Sequence, residues 1–146
     1  MGSEMCIRDR VGSDIDGEAA DDLFGGAVAL SSDGTRLAAG AIFNDGVGNS
    51  AGHVRVYDES GGVWTQVGSD IDGEAADDQS GTSVSLSADG TRLAIGAPAN
   101  DGGGNGTGHV RVYSESSGNW TQVGSDIDGQ SGAFTGDAVG LSLIHI

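Results

Sequence analysis

The sequence predicts an all-β protein made of four-stranded antiparallel blades, the units of a β-propeller, with too few repeats to complete a ring. Three observations predict this class. Residues 11–66 match residues 67–122 at 41 of 56 positions without a gap, which is the signature of a repeat architecture. Within each copy, short stretches alternate apolar and polar residues as strands do, and glycine-rich turns separate them. No stretch has the periodicity of a helix.

The first two strands can be placed in the second copy. Residues 83–87 (Ser-Val-Ser-Leu-Ser) alternate apolar and polar side chains and form the first strand. An Ala-Asp-Gly-Thr turn at 88–91 supplies the Asp-Gly pair of a tight hairpin and leads into the second strand at 92–97. A loop rich in glycine and asparagine then covers 98–108. Each copy is therefore expected to open with a β-hairpin.

The second half of each copy is expected to complete a four-stranded meander. Residues 109–115 form the third strand, residues 116–119 turn the chain, and residues 120–127 form the fourth strand. Four short antiparallel strands per period match a propeller blade. Kelch and WD repeats usually have shorter periods and signature residues that are missing here. The alternative is a series of small β-sandwich domains, but 56 residues bury too little core to stand alone.

The two ends of the chain read as translated sequencing adapter. Back-translation of residues 5–10 gives a DNA stretch whose reverse complement encodes residues 141–146, and this DNA resembles a transposon end used in such adapters. Segments of this kind are excluded from fold reasoning. We therefore predict five regions: 1–10, adapter-derived and not native; 11–78, the first blade with its preceding connector; 79–128, the second blade; 129–140, the start of a third blade; and 141–146, adapter-derived and not native.

Negative charge dominates the composition. The chain has 6 Lys and Arg residues against 22 Asp and Glu residues, a formal net charge of −16. Such a surface repels nucleic acid and anionic membranes and favours cations, so no nucleic-acid partner is expected. No apolar run approaches membrane-spanning length, so no membrane insertion is expected. The single cysteine, Cys6, lies in an adapter-derived end, which leaves no thiol for a disulfide framework.

Residues 24–41, which begin with Phe-Gly-Gly-Ala-Val-Ala-Leu and end with Leu-Ala-Ala-Gly-Ala, resemble the FG-GAP repeat of integrin alpha-chain-type propellers. The second copy has Ser80 in place of the phenylalanine but ends in a full Gly-Ala-Pro at 96–98. A third copy begins with Phe-Thr-Gly-Asp-Ala-Val-Gly at 134–140. The chain also resembles glycine- and aspartate-rich tandem variants of this repeat in large secreted or surface microbial proteins.

The resemblance implies a fragment of a secreted or cell-surface propeller with a binding, adhesion or scaffolding role, located outside the cell. Its partners would be a protein or glycan ligand and the remaining blades of the same chain. The alternative is a non-catalytic or partly catalytic segment of a propeller-bearing secreted hydrolase or lyase. Catalysis is not expected, because an active site is one asymmetric set of residues, whereas nearly every notable polar residue here recurs 56 positions later. No catalytic or cofactor-binding residue is predicted.

The acidic connector at 11–22, repeated letter for letter at 67–78, is a candidate calcium site. Carboxylate oxygens are the ligands that Ca²⁺ prefers, and Asp-x-Asp-Gly begins like a calcium loop. The absence of a third spaced carboxylate favours a solvated connector instead. In the FG-GAP family the calcium loop lies elsewhere, at the turn that here keeps only Asp33 or Asp89, so that site is expected to be absent. The candidate calcium ligands are Asp14, Asp16, Asp21, Asp22, Asp70, Asp72, Asp77 and Asp78.

His53 and His109 begin the third strand of each copy. Equivalent residues of neighbouring blades fan out around the axis, so the two histidines are not expected to share a metal ion. Each is predicted to hydrogen-bond a neighbouring loop instead. Arg55 and Arg111 alternate with valines that are expected to be buried, and each is predicted to pair with the surrounding acids.

Overall fold

The structure, a computed structural model, describes residues 10–102 and 106–129, and within them it has ten β-strands and no helix. The strands form two antiparallel sheets. The two ends that are predicted to be adapter-derived, apart from Arg10, and the predicted third blade, apart from Gly129, lie outside the described residues. The predicted all-β class and the antiparallel pairing are confirmed.

The first sheet is built from residues 27–72. Its second strand pairs with the first and the third, and the other edge of the third strand carries the fourth strand at one end and the fifth at the other. The sheet is therefore four strands wide, and two short strands share the fourth position. The strands are β1 (Ala27–Leu30), β2 (Arg36–Ala41), β3 (His53–Ser60), β4 (Val63–Gln66) and β5 (Ile71–Asp72).

The second sheet has the same connections and register. Leu37 lies opposite Tyr57 in the first sheet, and Leu93 lies opposite Tyr113 in the second. Each strand lies 56 residues after its counterpart, as the strand bounds show. The strands are β6 (Ser83–Leu86), β7 (Arg92–Ala97), β8 (His109–Ser116), β9 (Asn119–Gln122) and β10 (Ile127–Asp128).

The prediction of one continuous fourth strand at 120–127 is wrong. The chain leaves the sheet after β9 and returns at β10, where Ile127 pairs with Val110. Gly124 lies between them with a φ of +75°, a left-handed conformation that interrupts an extended strand. Gly68 has the same φ in the first sheet. The stretches that follow β4 and β9 therefore each begin as a kink at the edge of the sheet that precedes them.

The Asp-Gly turns form as predicted, and each is closed by its own aspartate. Gly34 and Gly90 both have a φ of +75°. The carboxylate of Asp33 accepts hydrogen bonds from the amide and hydroxyl groups of Thr35 at 3.0 and 2.8 Å. Asp89 makes the same two bonds at 3.0 and 2.8 Å with the threonine of its own turn. In both turns these bonds converge on the Oδ1 atom of the aspartate.

The two sheets pack face to face around one apolar core. Strand β6 of the second sheet lies against β1 and β2 of the first. Burying this apolar surface is the main favourable contribution to the contact. The core consists of Ala38, Val54, Val56 and Ile71 from the first sheet and Leu93, Ile95 and Tyr113 from the second, with Val84, Leu86 and Trp120 packed against it.

Backbones of successive repeats come very close at one end of the strands. A Cβ atom added to Gly40 would lie 2.3 Å from the carbonyl oxygen of Gly81, a distance that forces the backbone to move. Gly52 and Ser80 form a parallel bridge there, and the amide of Ser80 donates to the carbonyl of Ala51 at 2.9 Å. Small residues at this end allow the two sheets to converge.

Candidate functional site: two acidic clusters around buried histidines

The structure does not gather the predicted calcium ligands of either connector around one point. In the part of the chain that the structure describes, three or more potential ligand side chains come together at two places. One group is Glu18, His53 and Asp70, and the other is the set 56 residues later, Glu74, His109 and Asp126. Among the eight predicted aspartates, Asp70 belongs to such a group.

The other predicted aspartates of the connectors lie in different surroundings. Asp14 pairs with Arg10, whereas Asp16, Asp21 and Asp77 are exposed. Asp22 and Asp78 are buried and accept hydrogen bonds from the side-chain amides of Asn44 and Asn100 at 2.9 and 2.7 Å. These two buried aspartates therefore hold the long loop of their own repeat.

Each connector divides its acids between two sheets. In the second connector, Asp70 and Asp72 lie beside β3 of the first sheet, because β5 pairs with β3 there. Two residues later, Glu74 faces His109 of the second sheet. A connector therefore contributes its Asp-x-Asp to the sheet before it and its glutamate to the sheet after it.

The first cluster has His53 at its centre. This side chain is 1% exposed, and its Nδ1 lies 3.8 Å from Glu18 Oε1, 3.6 Å from Asp70 Oδ2 and 3.8 Å from Asp72 Oδ1. Neither ring nitrogen of His53 has a hydrogen-bond partner. The prediction that this histidine bonds a neighbouring loop is therefore wrong, since three carboxylates face Nδ1 from beyond hydrogen-bond distance.

Arg55 fixes the positions of two carboxylates of the first cluster, those of Glu18 and Asp70. Its guanidinium contacts Glu18 Oε2, and its Nε donates to Asp70 Oδ1 at 3.0 Å. Gln66 donates to the same Asp70 oxygen at 2.7 Å. Glu18 and Asp70 thus turn one oxygen mainly to Arg55 and the other towards His53. The predicted pairing of Arg55 with nearby acids is confirmed.

The pKa values of Asp70 and Asp72 are shifted in opposite directions because the two carboxyl groups have different partners. Burial raises the pKa of the Asp72 carboxyl above its usual range. Burial acts on Asp70 in the same direction, but hydrogen bonds from Gln66 and Arg55 outweigh it and hold the pKa of Asp70 below its usual range. The charge of Asp72 is therefore less compensated than that of Asp70.

The second cluster repeats this geometry. His109 is 2% exposed, and its Nδ1 lies 3.6 Å from Glu74 Oε1, 3.5 Å from Asp126 Oδ2 and 4.0 Å from Asp128 Oδ1. This Nδ1 has no hydrogen-bond partner. Arg111 contacts Glu74 and donates to Asp126 at 3.1 Å, which confirms its predicted pairing. The arrangement is thus a property of the repeat.

Comparison with known proteins assigns the chain to no family. No family of known proteins matches it, and no curated protein matches it. In residues 10–102 and 106–129 there is no helix long and apolar enough to cross a membrane. The fold and the two clusters are therefore the basis on which a function is proposed.

Proposed function

We propose that the chain is part of an FG-GAP-type β-propeller displayed outside the cell, with a binding, adhesion or scaffolding role. The observation that carries the proposal is that the two sheets contact each other through opposite faces, so that one face of the first sheet packs against the other face of the second. Such a head-to-tail contact can be repeated by any number of further sheets, and it closes into a ring when the rotation per sheet allows. A propeller is that closed ring.

The outer faces of the pair support this architecture. Val84 and Leu86 of the second sheet are half-buried against the first sheet, whereas their counterparts Val28 and Leu30 are 60% and 58% exposed. On the opposite faces, Ile71 is 8% exposed and its counterpart Ile127 is 57% exposed. The face that is covered in one sheet is therefore exposed in the other sheet. This is expected for two consecutive members of a longer array.

A recurring cleft supports the binding role. The first is an open cleft of about 330 Å³ between the first connector and β4, with Asp16, Tyr57 and Trp64 in its wall. The second, of about 280 Å³, lies at the seam between the two sheets, where Asp72 and Trp120 hold the equivalent places. An aromatic surface with a few polar groups is a common way to bind a ligand. Its repetition favours multivalent binding over catalysis.

The architecture can be tested with a series of tandem proteins that carry increasing numbers of copies of residues 67–122. A propeller closes at one copy number, in the range of about four to eight blades. We expect the melting temperature to rise sharply at that number and to gain nothing from a further copy. A melting temperature that climbs smoothly, with a radius of gyration that grows in proportion to length, would show an open stack instead.

The binding role can be tested on the tandem protein of highest stability. We expect it to bind immobilised glycans or surface proteins without releasing a product. Ser69→Arg in each copy fills the cleft and should abolish binding, whereas Thr121→Arg places the same charge on an exposed position of β9 and should preserve it. Turnover of a glycan or peptide would contradict the proposal and support a hydrolase or lyase.

A further inference from the structure

The buried imidazole of each cluster has an Nδ1 atom without the partner that buried polar groups normally have. His53 Nδ1 and His109 Nδ1 are both enclosed and both without a hydrogen bond. A buried polar atom left unpaired costs about 1–3 kcal/mol, so native proteins rarely leave one without a function. In both clusters the atoms around it are carboxylate oxygens at 3.5–4.0 Å.

These separations match those between ligands of one metal ion. Zinc binds histidine nitrogen and carboxylate oxygen at about 2.0–2.2 Å in a tetrahedron, which places neighbouring ligand atoms about 3.3–3.6 Å apart. The nitrogen of His53 lies 3.6–3.8 Å from its three carboxylate oxygens. The ligand atoms of Glu18, His53 and Asp70 all lie within 4.8 Å of one another. An ion bound here would draw these three ligand atoms from at most 4.8 Å to tetrahedral spacing, with Asp72 Oδ1 at 3.8 Å from His53 Nδ1 as the fourth ligand atom.

The charge of each cluster is also that of a divalent cation site. Glu18, Asp70 and Asp72 bring three negative charges, Arg55 brings one positive charge, and a neutral histidine leaves an excess of two negative charges. One divalent ion balances that excess. Arg55 and Gln66 hold the second oxygen of Asp70, which is the role that outer partners have around metal ligands.

We propose that each cluster binds one divalent transition-metal ion of the zinc type, held by His53, Glu18, Asp70 and Asp72 in the first cluster and by His109, Glu74, Asp126 and Asp128 in the second. Calcium fits this donor set poorly, since it requires six to eight oxygen ligands and one of the four donors here is an imidazole nitrogen. Each ion joins the connector before a sheet to the connector after it. Two consecutive repeats are sufficient, so the proposal is independent of ring closure.

Stoichiometry is the direct test. The full chain, dialysed against zinc chloride and analysed for bound metal, should hold two ions, and its melting temperature should rise with zinc concentration. Calcium chloride at the same ionic strength should leave the melting temperature unchanged. Cobalt(II) in place of zinc should give the strong visible absorption of a tetrahedral site. A folded chain that binds no zinc, or that calcium stabilises equally, would overturn the proposal.

Substitutions locate the two ions. Asp72→Asn should lower the stoichiometry from two to one, and Asp72→Asn with Asp128→Asn should lower it to zero. The matched control is Asp16→Asn, which changes the corresponding residue of the first connector. Within residues 10–102 and 106–129 no sheet precedes Asp16 and no histidine lies beside it, so this variant should keep two ions. Melting without metal shows that each variant is folded, and metal retained by the double variant would overturn the assignment.

Two side chains in the adapter-derived ends could bind zinc by themselves. Cys6 and His145 are a thiol and an imidazole, both good zinc ligands. The variant Cys6→Ser with His145→Ala removes them and should still bind two zinc ions. A loss of zinc in this variant would assign the metal to the ends and overturn the proposal.

Discussion

Arg36 and Arg92 occupy the same position in the two sheets, yet their surroundings are very different. Arg36 makes a two-point ion pair with Asp58 at 2.6 and 2.8 Å and donates at 2.9 Å to the Glu115 carboxylate of the second sheet. Its guanidinium lies 5.8 Å from the ring centre of Trp120. Arg92 is exposed, and Ser114 stands opposite it where Arg36 has Asp58.

The apolar residues of the two sheets differ in the same way. Leu93 is fully enclosed between the sheets, whereas its counterpart Leu37 is half-buried on the open face of the first sheet. The local sequence around both leucines is the same, Thr-Arg-Leu-Ala. The repeated sequence thus determines that a strand forms. The neighbouring sheet determines how much the leucine of that strand stabilises the fold. Apolar burial in the described residues is therefore expected to stabilise the fold most at the seam between the sheets.

The largest expected effect compares these two leucines. Leu93→Ala removes a fully buried side chain and leaves a cavity, so we expect a loss of about 2–5 kcal/mol in the free energy of unfolding. Leu37→Ala should cost about 1 kcal/mol or less, because that side chain is already partly hydrated. Urea titrations followed by tryptophan fluorescence measure both. Equal losses would mean that the two sheets do not pack as described.

The second expected effect concerns the arginines. Arg36→Met keeps much of the apolar stem but leaves Asp58 and Glu115 without their cation, and we expect it to cost about 1–3 kcal/mol. Arg92→Met changes an exposed side chain and should stay within about 0.5 kcal/mol of the parent chain. The same urea titration measures both, and added sodium chloride should narrow the difference. A larger loss for Arg92 would contradict the comparison.

Local signals in the sequence were sufficient for most strands. The predicted second strand at 92–97 has the bounds of β7, and the first and third strands differ from β6 and β8 by one residue at one end. Alternating side chains and the Asp-Gly turn are short-range features, and they act within a few residues. The fourth strand was not predicted correctly, because the left-handed conformation of Gly124 depends on the chain returning to β8.

The clusters could not be predicted in the same way. Glu18, His53 and Asp70 are far apart in the sequence, and they meet only because β5 pairs with β3 while the first connector reaches the same strand. The motif in the sequence indicated ligands within one connector, where the acids are close in sequence but separate in space. A usable signal existed, since all three residues recur with unchanged spacing 56 positions later.

The smallest expected effect tests the two Asp-Gly turns, in which the hydrogen bonds to the aspartate are the same in both sheets. The amide and hydroxyl groups of Thr91 and the hydroxyl of Ser87 donate to Asp89 and lower its pKa to about 2, and the equivalent bonds lower the pKa of Asp33. Because the folded pKa values lie below the unfolded value, this stabilisation is present above about pH 4. It is lost as the pH falls from there towards about 2, when the carboxylates become protonated.

Asp89→Asn and Asp33→Asn should therefore each flatten the decline of melting temperature between about pH 4 and about pH 2. The two effects should be equal within error, because each aspartate bonds only within its own turn: to Ser31 and Thr35 in the first sheet and to Ser87 and Thr91 in the second. Melting curves of the two variants and the parent chain across this range measure the slopes. If the two substitutions differ as strongly as the leucine or arginine pairs, then the turns also depend on the neighbouring sheet, and the separation of local structure from packing fails.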